Sequence, residues 1–132
     1  MEKSMYKIDF QLDSGFYLAG DTGGDGKTFL ANLMAERSVY DSDYASILYE
    51  KGKATLYGDL DKAKYIFADK FIRYKSDRLV NKLLALSKKS IVVVEFKTTR
   101  KGELLYGVCT VYMANKSTIE ITGVGYKVNI WR

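Results

Sequence analysis

A chain of 132 residues with 47% hydrophobic and 28% charged side chains is expected to form one domain over residues 1–132, with a real core but no room for a second. Its net charge of +5 is modest and scattered, the absence of histidine removes the commonest zinc sites, and the single Cys109 rules out an internal disulfide framework. No apolar run approaches the ~20 residues of a membrane span, and Met1-Glu2-Lys3-Ser4 leads into an alternating pattern instead of a signal peptide, so no membrane association and a cytoplasmic location are expected.

Tyr6, Ile8, Phe10 and Leu12 alternate with Lys7, Asp9 and Gln11, the pattern of a half-buried strand. Asp13-Ser14-Gly15 turns the chain into Phe16–Ala19, an unbroken apolar run that suits a strand covered on both faces. A glycine-rich segment follows and closes in Gly26-Lys27-Thr28. From Thr28 to Arg37, Leu30, Leu33 and Met34 recur at helical spacing with Phe29 and Ala31 beside them. A polar loop at Tyr40–Tyr44 precedes a weaker strand at Ser46–Tyr49, and Gly52 and Gly58 punctuate what comes next. Lys64–Asp69 is an apolar strand that ends on a carboxylate. Ser76 caps a helix carried by Leu79, Val80, Leu83, Leu84 and Leu86. Ser90–Glu95 reads as a short buried strand, Gly107–Met113 and Thr118–Thr122 as further strands, and Tyr126, Val128 and Ile130 alternate as a terminal one.

The glycine-rich segment between an apolar strand and a helix has the chemistry of a phosphate-binding P-loop. Gly20, Gly23, Gly24 and Gly26 allow backbone N–H groups to turn towards phosphate oxygens, and the helix start, from Lys27 through Phe29, adds partial positive charge there. Lys27 supplies a full charge for the terminal phosphates, and the Thr28 hydroxyl is a candidate Mg²⁺ ligand. The spacing is irregular: G-x-x-x-x-G-K-[ST] requires glycine at position 21, which is Asp21. Two phases are open. Either the G-x-x-G-x-G-K-T arrangement from Gly20 carries one extra residue, or Gly23-Gly24-Asp25-Gly26-Lys27-Thr28 follows the K-G-G-x-G-K-[ST] phase, with Thr22 in place of its leading lysine. In both, Asp25 puts an anionic side chain in the phosphate loop, where it must point outward or meet the metal.

On these residues the stretch Tyr6–Glu95 resembles a reduced ATP-binding core of the P-loop NTPases, in the manner of the ABC and AAA-type ATPases. Tyr6–Leu12 followed by Gly15–Gly20 resembles their opening hairpin, and Tyr65–Phe71 their Walker B strand. The resemblance implies an α/β fold: a mainly parallel sheet of P-loop NTPase-like topology, helices on both faces and a β-rich C-terminus. It also implies a Walker B strand lying beside the P-loop strand, Asp69 in the Mg²⁺ shell with Thr28, and ATP bound at the carboxyl ends of the strands. The catalytic glutamate that usually follows the Walker B aspartate is replaced by Lys70, so hydrolysis is expected to be slow. Glu95 substitutes for it if it faces the γ-phosphate, and otherwise marks its strand's exit to solvent. The catalytic candidates are therefore Lys27, Asp69 and Glu95.

Val111–Thr118 ends in Asn-Lys-Ser-Thr, where a guanine-binding N-K-x-D motif needs aspartate, so ATP is expected over GTP. Arg73, Arg78 and Arg100 are weighed as charge stabilisers or surface residues. The alternative function is a non-catalytic interaction or regulatory domain on a degenerate P-loop scaffold. A protein partner or homo-oligomer suits either reading, and nucleic acid has only clusters such as Lys97–Lys101 to support it.

Overall fold

A computed structural model describes residues 6–19, 27–70, 77–95, 104–115 and 118–130. The elements run β1 (Lys7–Gln11), β2 (Gly15–Ala19), α1 (Lys27–Arg37), β3 (Tyr44–Glu50), β4 (Lys53–Tyr57), β5 (Tyr65–Ala68), α2 (Asp77–Leu86), β6 (Ile91–Glu95), β7 (Leu104–Asn115) and β8 (Thr118–Ile130). The strands form one sheet in the order β1-β8-β7-β2-β6-β5-β3-β4.

The sheet is mixed, which corrects the expected mainly parallel α/β architecture of P-loop type with helices on both faces. From β7 through β2, β6 and β5 to β3 the strands run parallel. β4 then turns back antiparallel on β3, and the two longest strands, β7 and β8, form an antiparallel pair. Among the described residues only two helices stand against eight strands, one helix to a face, too few to form the helical layers of a mainly parallel α/β fold. The reason is local. A parallel neighbour needs a crossover of a dozen or more residues, whereas Glu50 and Lys53 are joined by Lys51-Gly52 alone. Both turn residues have positive φ, 51° and 82°, the combination of a type I′ turn whose twist matches paired strands.

The opening hairpin is also corrected. β1 pairs in parallel with β8, Lys7 beside Thr118 through Gln11 beside Thr122, and β8 and β7 stand between it and β2. The terminal strand expected at Tyr126–Ile130 is the far end of β8, whose pairing with β7 carries register shifts near Gly107 and Met113 but no break. β4, unmarked in the sequence reading, is mostly exposed.

Alternation along the strands builds two cores. On one side, Leu48, Phe67, Ile91 and Val93 pack with Leu30, Ala31, Leu33, Met34 and Ala35 of α1. On the other, Ala45, Ile47, Ile66, Ala68, Val92 and Val94 pack with Leu83 and Leu86 of α2. The sheet curls so that its β1 end meets α1 and β5. Phe10 of β1 stacks on Tyr65 of β5 with ring centroids 4.6 Å apart, and Tyr6 meets Phe29 edge-on at 5.1 Å. An Arg37 guanidinium N–H donates to the Tyr6 carbonyl, while the guanidinium lies 5.4 Å from the Tyr44 ring centroid. Enclosure explains why five of the six residues from Leu30 to Ala35 are buried, more than the single stripe of a surface helix. The buried Ser46 hydroxyl donates to the Ala31 carbonyl at 2.8 Å, which pins β3 to the same helix.

Candidate functional site

Parallel strands leave their carboxyl ends on one edge, and three of them bring the predicted residues close together. β2 ends at Ala19, in register with Glu95 at the end of β6. Ala68, the last residue of β5, is in register with Val94, so Asp69 is the next residue along and lies beside Glu95. The pairing of β5 with β3 continues one step further, the Asp69 N–H donating to the Ile47 carbonyl at 2.9 Å. Asp69 is thereby held at the strand end with its residue only 4% exposed.

Glu95 does not simply lead to solvent. It is half-buried, its Oε1 accepts the Lys70 N–H at 2.8 Å, and its carboxyl is near enough to Asp69 to raise that group's pKa. Lys70 reaches this position with φ of 51°, in the left-handed region that non-glycine residues seldom enter. The turn aims the amide at Glu95, and the Lys70 ammonium lies 4.0 Å from Asp69 Oδ2. Burial, then the hydrogen bond and charge of Glu95, push the Asp69 carboxyl up from 3.8 to about 6, against a smaller opposing pull from Lys70.

This has a consequence for stability with a definite sign. Because Asp69 binds its proton more tightly folded than unfolded, it favours the folded chain most below pH 3.8, and the advantage is lost as pH rises through about 6. Asp69→Asn keeps a donor for Glu95 without the buried charge. The variant should match the parent near pH 4 and be more stable by about 1–2 kcal/mol at pH 7.5. Urea denaturation across that range measures the difference, and a gap that does not change with pH would refute it.

The other predicted residues divide by position. Gly20, Gly23, Gly24, Asp25 and Gly26 lie outside the described residues, as do Arg73, Arg100 and Lys97–Lys101. Lys27 and Thr28 are the first two residues of α1, so the helix begins where the phosphate loop is expected to end. Phe29 is 43% exposed and rests against Tyr6. Arg78 is exposed on α2. Asn115 and Thr118 are paired at the end of the β7–β8 hairpin. Asp69 is not on a strand adjacent to β2, as expected of a Walker B residue, because β6 lies between them. Sequence reasoning underrated Lys70, whose backbone holds Glu95. The available signal was a pair of apolar runs, Tyr65–Ala68 and Ile91–Val94, each followed by an acid.

No family model, curated protein or solved structure matches this chain. Among the described residues, no helix is long and apolar enough to cross a membrane, and no group of three or more acidic, cysteine or histidine side chains is placed to hold a metal. The donor set of Asp69 and Glu95 suits a hard cation that completes its shell from other oxygens. Mg²⁺ commonly uses one or two carboxylates with phosphates and water. A divalent charge there would also relieve the crowding of two carboxyl groups.

Proposed function

We propose that the protein binds ATP with Mg²⁺ at the carboxyl ends of β2, β5 and β6. The observation that carries this reading is the juxtaposition of the Asp69–Glu95 pair with Ala19, the residue immediately before the glycine-rich segment. Topology supports it. The chain leaves β2 towards β3 on one side and leaves β6 towards β7 on the other, although β2 and β6 are neighbours. Adjacent parallel strands whose connections depart in opposite directions open a crevice at their carboxyl ends, the usual ligand position in such sheets.

In this reading Gly20–Gly26 and the start of α1 cradle the phosphates, and Lys27 adds charge at the terminal ones. Thr28 and Asp69 hold Mg²⁺, which supplies charge neutralisation for the phosphate oxygens. Glu95 is the group that orients or deprotonates water, and the Lys70 N–H sets its direction. A cytoplasmic location fits a nucleotide of this class. Titration calorimetry with Mg-ATP and Mg-GTP tests binding, and saturable heat with ATP preferred is the expected result. No heat at millimolar nucleotide would end the proposal.

A second reading, a binding or regulatory domain without turnover, is favoured by one observation: Glu95 is already engaged by Asp69 and Lys70. Phosphate release over hours separates the two. Turnover that disappears in Asp69→Ala and Glu95→Gln identifies an ATPase, while binding with no release identifies the regulatory domain.

A further inference from the structure

Lys70 reaches both acids of the site with two different groups, and the two contacts differ in kind. Its backbone N–H is committed, because the left-handed turn at φ of 51° aims it at Glu95 Oε1, 2.8 Å away. Its ammonium is held more loosely. At 4.0 Å from Asp69 Oδ2 it lies beyond hydrogen-bond reach, and the Lys70 side chain is 41% exposed against 6% for that of Asp69. The residue is therefore a cation on a flexible four-carbon stem, anchored by its own backbone next to a carboxylate with little access to water.

That is the place where a second cation is expected. A Mg²⁺ ion ligated by Asp69 Oδ2 at about 2.1 Å would stand within about 6 Å of the ammonium where it now lies. Two cations so close repel, and the monovalent one can give way: its side chain borders solvent, and its departure leaves the N–H contact to Glu95 intact. We propose that the Lys70 ammonium is a tethered competitor for the metal position at Asp69, balancing that carboxylate when no metal is bound and swinging out to solvent when Mg²⁺ arrives. The inference rests on the Mg-ATP reading of this site and adds its regulation. Lys70 lowers the affinity for nucleotide that carries a metal and spares the acid pair an unbalanced charge when none is present.

Titration calorimetry of the full chain with Mg-ATP, and with ATP in excess EDTA, provides the test. Lys70→Met removes the charge and keeps the backbone donor. It should bind Mg-ATP about three- to fivefold more tightly, the equivalent of one ion pair of this exposure no longer having to be broken, and should gain nothing for ATP in EDTA. Lys70→Arg keeps the cation and should stay within about twofold of the parent. Lys70→Gly keeps the N–H, suits the positive φ and should match Lys70→Met, so it carries the test if melting curves show that the methionine variant does not fold. Mg-ATP affinity that is unchanged in the uncharged variants overturns the proposal, and weaker binding of both forms of ATP overturns it by making the ammonium a phosphate contact. No heat from any of the proteins ends the Mg-ATP reading and this inference with it, whereas equal Mg-ATP binding by the parent and Lys70→Met ends this inference alone.

Discussion

Gly58→Ala is expected to destabilise the protein by about 2–4 kcal/mol and to lower its melting temperature by roughly 10 °C. Two effects combine at this position. Gly58 has φ of 94°, a conformation that costs any side-chain-bearing residue about 1 kcal/mol or more. A Cβ there would also lie 2.7 Å from the Tyr44 carbonyl oxygen, 3.0 Å from the Ser38 Cβ and 3.1 Å from the Ala45 Cα. The backbone atoms belong to the start of β3, which is held by β5 on one side and by α1 above, so the neighbours cannot give way. Gly52 supplies the internal control. Its φ is 82°, yet nothing lies within 4 Å of the position its Cβ would take, and Gly52→Ala should cost only the conformational share, about 1 kcal/mol. Equal losses for the two variants in urea titrations would show that the close approach of Gly58 to β3 is not what demands glycine there.

Lys27→Ala should weaken Mg-ATP binding about 10- to 100-fold while leaving the melting temperature of the free protein nearly unchanged. The affinity estimate follows from the loss of one charge-assisted contact to phosphate, worth about 1.5–3 kcal/mol. The fold should tolerate the change because alanine at the first position of α1 preserves helix propensity. Calorimetry on both proteins decides it. Unchanged affinity would remove Lys27 from the site, and a parallel loss of stability would mean that the lysine is structural. The comparison with Asp69→Ala is informative, since that substitution should reduce the dependence of binding on Mg²⁺ while Lys27→Ala should not.

Local patterning was a good guide wherever one segment decides its own structure. The apolar run Phe16–Ala19, the helix expected over Thr28–Arg37, which begins one residue earlier at Lys27, and the carboxylate after Ala68 follow from residue periodicity and turn residues. Pairing is a different matter, because the alternation of Tyr6, Ile8 and Phe10 states that a strand will form but not which strand will sit beside it. β1 therefore looked like half of a hairpin with β2, and its true neighbour begins at Thr118. β4 was missed for lack of an apolar signal: Lys53–Tyr57 is short and largely wet, and the Lys51-Gly52 turn was its best clue. The alternation at Tyr126, Val128 and Ile130 reads as a strand separate from Thr118–Thr122, a division that the long pairing of β8 with β7 overrides. The meeting of Asp69 with Glu95 depends on the register of β5 against β6, a tertiary quantity that neither strand carries alone.

The pairing of β1 with β8 also sets the order of events during synthesis. Lys7 is made early, yet the backbone groups it must bond belong to Thr118 and its neighbours, over a hundred residues later. At translation speeds of about 5–20 residues per second, β1 waits roughly 5–20 s for its partner. Through that interval Ile8 and Phe10 lack the part of their native surroundings that Ile119 and Ile121 supply, and the backbone of β1 has no partner to hold it against α1 and β5. The chain contains no proline, so prolyl isomerisation contributes nothing to the delay. β1 is thus a segment that holdase chaperones would meet before its partner strand is made, and its release is timed by the arrival of β8.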